Sequence, residues 1–232
     1  INEVLDKLER SKRLSYDQAY VERLYVEYQK QECDDTVDRK QLREWLEGRD
    51  ILLLGPGKHV VEQRDRIEAW LEERRTDDPV RISINFIPQG LATDAVFISN
   101  AKRYVTLSTK LCQNTDCFRT LATSNVTKAS GAFDYVFNYN SLLDEQAMIV
   151  DNPMIMMFRL LREAGVRSVS LAGFDGYVKA DAPNYINPNM DHSFSREKAA
   201  EINQDVRDSI ERLGPLGFVL EYITDTLYIE RP

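Results

Sequence analysis

Between the apolar run Ile51-Leu52-Leu53-Leu54 and a helical pattern beginning at Val60 stands Gly55-Pro56-Gly57-Lys58-His59. Two glycines in such a turn let backbone approach a ligand closely, and N–H groups opening the next helix attract an anion. Phosphate or carboxylate binding is therefore the chemistry expected of Gly55, Pro56 and Gly57. The third glycine of the dinucleotide fingerprint is absent, and Asn85 rather than an acid ends the second strand pattern, which disfavours a nicotinamide cofactor. The spacing is also wrong for a P-loop, with His59 where that motif has Ser or Thr. The competing reading is a tight strand-to-helix turn with no ligand.

Asn85 and Asn100 close two successive strand patterns, Ser83-Ile84-Asn85-Phe86 and Phe97-Ile98-Ser99-Asn100. Neutral amides at strand ends offer donors and acceptors to a base or sugar, although each can instead cap a helix or make a turn. In Leu171-Ala172-Gly173-Phe174-Asp175-Gly176-Tyr177, Asp175 stands between two glycines at another strand end. It is suited to hold a sugar hydroxyl, ligate a metal or close an Asx-turn. The Pro/Asn-rich stretch 182–192 reads as a loop over the site. His192, at its end, is the candidate proton shuttle, set against the plainer reading of an exposed histidine with no orienting partner.

No metal site is expected. The two histidines fall in neither a His-x-His nor a His-Glu-x-x-His pattern, and Cys112 and Cys117 lack zinc spacing. The carboxylates of Glu32 to Asp38 have no Gly turn to make a calcium loop, and read as a solvated linker.

A sheet must bring these residues together. Strand patterns occupy Ile51–Leu54, Arg81–Phe86, Ala95–Ser99, Thr120–Ser124, Tyr135–Asn138, Ser168–Ala172 and Phe218–Tyr222, with Thr226–Ile229 as an antiparallel edge. Helices are expected over Val60–Arg75, Pro153–Ala164 and Ser195–Leu213, with Met148, Met154, Met156 and Met157 filling the core. Residues 1–48 read as helices forming an appendage, and 49–232 as an α/β domain. The expected fold is a Rossmann-like, mostly parallel sheet flanked by helices and preceded by an N-terminal helical segment.

The chain is 43% hydrophobic and 29% charged, with a net charge of −8. That excess of acid opposes attraction to phosphate backbones or anionic lipid, so neither nucleic acid nor membrane is an expected partner. Three cysteines and no basic-then-apolar leader place it in the cytoplasm, and Ile1 in place of Met suggests a piece of a longer polypeptide.

Two resemblances refine this. The runs Leu14-Ser15-Tyr16 through Ala19-Tyr20-Val21-Glu22-Arg23-Leu24-Tyr25, Gly48-Arg49-Asp50 through Leu54-Gly55-Pro56-Gly57-Lys58, and Phe97-Ile98-Ser99-Asn100-Ala101-Lys102-Arg103-Tyr104 resemble the C-terminal region of bacterial aldolase-like proteins of the 4-hydroxy-2-oxovalerate type. The resemblance implies an N-terminal TIM barrel as partner in the full-length protein. It implies a divalent metal in that barrel only and no cofactor in this fragment, which would be the accessory domain, binding a nucleotide or phosphorylated sugar-like ligand. Over about residues 51–225, the order of Gly-Pro-Gly, Asn85, Asn100, Leu171-Ala172-Gly173-Phe174-Asp175 and a loop histidine is similar to small bacterial sialyltransferases. That similarity implies ligand binding by Gly55, Gly57, Asn85, Asn100 and Asp175, with His192 as base of a nucleotide-sugar-dependent glycosyltransferase. Gly57-Lys58 stands in place of the family's Ser after its Gly-Pro pair. A non-catalytic interaction module is the third possibility.

Overall fold

The computed structural model describes residues 32–113, 118–126, 133–179, 185–186 and 197–229. In chain order the elements are α1 (Thr36–Leu46), β1 (Asp50–Leu54), α2 (His59–Glu62), α3 (Arg64–Glu73), β2 (Val80–Ile84), β3 (Ala95–Ile98) and α4 (Ala101–Gln113). There follow β4 (Arg119–Thr123), β5 (Tyr135–Phe137), α5 (Pro153–Ala164), β6 (Ser168–Ala172), α6 (Ala199–Arg212) and β7 (Val219–Tyr222). The fold is α/β and Rossmann-like. Seven strands lie in the order β5-β4-β3-β2-β1-β6-β7, and every pairing is parallel.

Apolar runs make these strands because both faces of the sheet are covered. Ile51 and Leu53 face one cluster together with Leu42 and Leu46 of α1, the methionines of α5, and Ile202 and Val206 of α6. Leu52 and Leu54 face the other side, against Val60, Ile67 and Trp70 of α2 and α3. Further along that second face, Val96 and Ile98 meet Tyr104, Leu107 and Leu111 of α4. Local chemistry sets the ends of α5: the Asn152 side chain accepts from Met154 N, Pro153 opens the first turn, and Gly165 closes it at φ 71°.

Four expectations change. Residues 226–229 form no strand, because Thr226 Oγ1 donates to Phe174 O at 2.6 Å and Leu227 N to Asp175 O at 2.9 Å, which seats the segment over the end of β6. The helix expected over Val60–Arg75 is broken at Gln63, whose side chain accepts from Asp225 N at 3.0 Å and donates to Asp225 Oδ2 at 2.9 Å. Met148 is exposed, whereas Met154, Met156 and Met157 are buried as expected. The acidic run is not a solvated linker: Asp35 Oδ2 accepts from Asn138 N at 2.8 Å and Asp38 Oδ2 from Val136 N at 3.0 Å. Those carboxylates satisfy N–H groups of the edge strand β5 and nearby backbone, covering an edge that would otherwise be open to pairing.

Residues 1–31 and His192 lie outside the described residues. No helix among the described residues is long and apolar enough to cross a membrane.

Candidate functional site

The order of strands locates the site before any side chain is considered. The connection leaving β1 passes to α2 and α3 on one face, while that leaving β6 passes to α6 on the other. Adjacent parallel strands whose connections part in this way open a crevice outside their carboxyl ends, where ligands of open α/β sheets bind. Gly55 follows β1 and Gly173 to Asp175 follow β6, while Asn85 follows β2 and Asn100 lies just past β3. The candidate residues on described positions therefore share one edge, over four contiguous strands.

At the base of the crevice the glycines serve a close approach between two backbone turns. Gly55 N donates to Ala172 O and Gly57 N to Gly173 O, both at 2.8 Å. A Cβ on Gly55 would meet Gly173 O, and one on Gly173, which has φ +73°, would meet Gly55 O and Val60 Cβ. The N–H groups of Gly55 and Gly57 are thus engaged within the chain. A carboxylate from the chain also sits against the turn, with Asp175 Oδ2 accepting from His59 N at 2.9 Å. Asp175 Oδ1 lies 2.5 Å from where a Cβ on Gly57 would stand.

Asp175 has only 13% of its side chain exposed, and its Oδ1 is buried without a hydrogen-bond partner among the described residues. Burial pushes its carboxyl above the ordinary carboxylate range, although the backbone N–H groups of His59 and Lys58 favour the charged form. Asp50 is the opposite case: hydrogen bonds from Arg167 are the largest of the effects that hold its carboxyl below the ordinary range.

These shifts have opposite consequences for stability. A carboxyl with a raised folded pKa binds its proton more tightly in the folded chain, so its charge burdens the fold at neutral pH and the burden lifts as pH falls through the folded value. A carboxyl with a lowered folded pKa stabilises above the unfolded value of about 3.9, and that contribution is lost as pH falls toward the folded value. Raising the pH from 3.5 to 7.5 is therefore expected to improve Asp175→Asn relative to wild type and to worsen Asp50→Asn. Urea midpoints across that range check this, and both variants moving in the same direction would refute it.

Asn85 holds φ +58°, a conformation that Asn tolerates better than most residues. Its Nδ2 donates to Ser99 Oγ at 3.2 Å and its Oδ1 accepts from Ser99 N at 3.1 Å, tying the ends of β2 and β3 together. Asn100 caps α4 by accepting from Arg103 N at 3.3 Å. The polar rim continues with residues that sequence reasoning passed over. Asn125 Nδ2 donates to Ser99 O at 3.1 Å, Thr123 Oγ1 to Asn125 Oδ1, and Tyr139 N to Ser124 Oγ at 3.0 Å. The signal was the run Thr123-Ser124-Asn125 at the end of an apolar strand, the same pattern that singled out Asn85 and Asn100. Asn203 was also missed; its amide accepts from Tyr177 N and donates to Tyr177 O, each at 2.8 Å, and so fixes the chain leaving Asp175.

The expected covering loop is represented by Tyr185 and Ile186. Tyr185 forms an antiparallel bridge with Gly57, Ile186 N donates to Pro56 O at 3.0 Å, and Tyr185 Oη donates to Tyr177 Oη at 2.8 Å. This piece of the loop lies against the Gly-Pro-Gly turn.

No protein-family model matches the chain, and no curated protein is significantly similar to it. Among the described residues, no group of three or more His, Cys, Asp or Glu side chains is placed to hold a metal ion.

Proposed function

We propose that this chain binds a nucleotide or a phosphorylated, sugar-like ligand in the crevice between β1 and β6. The observation that carries the proposal is the parting of the β1 and β6 connections at an edge where Gly55, Asn85, Ser99, Asn125 and Asp175 are gathered. Amides and hydroxyls along β2 to β4 suit a base or ribose. Asp175 already occupies the N–H group of His59, so the phosphate is expected beside the turn and a sugar hydroxyl toward Asp175. In the full-length protein this would be the accessory domain of an aldolase-type enzyme, a reading that rests on the sequence resemblance alone. Reading upstream of Ile1 for a metal-bearing TIM barrel tests it.

A nucleotide or sugar phosphate at about 100 times its Kd is expected to stabilise the folded chain by about 2.7 kcal/mol. For a chain of this size that is a rise in Tm of about 5–10 °C. Cytidine nucleotides come first in the panel, followed by the other nucleotides and sugar phosphates. An unchanged Tm across the panel would leave the domain as an interaction module without a ligand.

The second reading is a transferase acting on a nucleotide sugar. It is favoured by the seating of Tyr185 and Ile186 on the Gly-Pro-Gly turn.

A further inference from the structure

Of the two histidines in the chain, His59 has what a proton-transfer residue needs and what sequence reasoning sought in vain around His192: partners that orient the ring. His59 Nδ1 lies 2.9 Å from Asp225 O. A backbone carbonyl only accepts, so Nδ1 carries the hydrogen and, in the neutral ring, the lone pair is on Nε2. On the same side, Asp175 Oδ1 is 3.4 Å from Nδ1. That oxygen is buried and lacks a hydrogen-bond partner, so a positive ring would supply the charge it lacks. The ring is 29% exposed, and the exposed Glu62 carboxylate is 3.9 Å from Nε2, beyond hydrogen-bond range.

The holding groups are themselves held. Gln63 brackets Asp225, accepting from its N–H and donating to its carboxylate, which Arg66 also reaches at 3.2 Å. Asp175 receives the N–H of His59, and its own carbonyl accepts from Leu227 N. Three segments, from the ends of β1, β6 and β7, thus converge on one imidazole. A fixed Nδ1–H, a carboxylate beside it and an open Nε2 are what general-base histidines require.

We propose that His59 is the catalytic base of the crevice, taking a proton at Nε2 from water or an alcohol that attacks the sugar carbon of a bound nucleotide sugar. In that step the acceptor O–H bond breaks and its proton passes to Nε2. The acceptor oxygen bonds to the sugar carbon, and the bond from that carbon to the phosphate oxygen breaks with its electron pair, releasing the nucleotide. Asp175 offsets the charge of the imidazolium, which then returns its proton to solvent. The proposal rests on the reading that the crevice binds a nucleotide-type ligand, and it assigns the base to His59 in place of His192.

The test uses the full chain with CMP-, UDP- and GDP-linked sugars, following melting shift and nucleotide release side by side. The expected result is a nucleotide sugar that raises the Tm and is turned over. His59→Gln should keep the melting shift and lose at least about a hundredfold in kcat, together with the rising limb of the pH–rate profile. Asp175→Asn, which keeps the shape and removes the charge, should displace that limb. Without any ligand, the imidazole nitrogen resonances, assigned with His192→Gln, should show hydrogen on Nδ1 of His59 in the neutral ring. Binding without release, undiminished turnover in His59→Gln, or an Nε2–H ring would overturn the proposal while leaving the binding reading intact. Absence of any melting shift would overturn that reading and this proposal with it.

Discussion

Gly173→Ala is expected to cost about 3 kcal/mol, a large share of the roughly 5–15 kcal/mol that holds a typical domain together. Two separable effects meet there. The residue sits at φ +73°, where a side chain costs about 1–2 kcal/mol. Its added Cβ would also press on Gly55 O and on Val60 Cβ, which is 2.8 Å away, and forcing atoms into a packed site costs about 1–3 kcal/mol. Two other glycines isolate the contributions. Gly214 has φ +67° with nothing within 4 Å of an added Cβ, so Gly214→Ala should show the torsional cost alone. Gly55 has no positive φ but would meet Gly173 O, so Gly55→Ala should show the steric cost alone. Denaturant midpoints for the three variants decide the matter. Equal losses at positions 173 and 214 would mean that the turns after β1 and β6 are not in close contact, and the crevice floor described above would be wrong.

Leu46→Ala is the second large effect, expected to cost about 2–5 kcal/mol, the range for deleting a buried leucine. Leu46 is fully buried in the cluster that holds Phe97, Phe137 and the methionines of α5. Removing α1 altogether should be worse. A chain begun at residue 49 would uncover α5 and β5, on which α1 packs, and leave the N–H groups of Val136 and Asn138 without Asp38 and Asp35. Such a chain is expected to lose its cooperative unfolding transition. Cooperative unfolding of residues 49–232 at wild-type midpoint would show that α1 is a removable appendage.

Much of the sheet was legible because a strand covered on both faces must be apolar throughout. Ile51-Leu52-Leu53-Leu54 and Ser168 to Ala172 can hardly be anything else at that length. The turn after β1 was legible for a similar reason, since Gly-Pro-Gly cannot continue either element. Helix α4 was overlooked although Tyr104, Leu107 and Leu111 recur at helical spacing and Asn100, weighed as a ligand contact or a cap, does cap it. Conversely, Thr226 to Ile229 has a strand-like composition, and hydrogen bonds to Phe174 and Asp175 hold it out of the sheet.

The candidate site divides along the same line. The sequence alone determined which residues stand at strand ends, because strand ends are local features: Gly55, Asn85, Asn100 and Asp175 are each marked within a few residues of an apolar run. Only the tertiary structure decided which of those ends adjoin, and it did so through strand order, setting β6 beside β1 and so laying Asp175 against the Gly-Pro-Gly turn. His59 shows the limit most clearly. Its backbone is fixed by a residue 116 positions away and its ring by one 166 positions away. Hydrogen bonds across such separations leave no periodicity or spacing for a linear reading to detect, because they arise only when packing of the sheet has brought its carboxyl ends together.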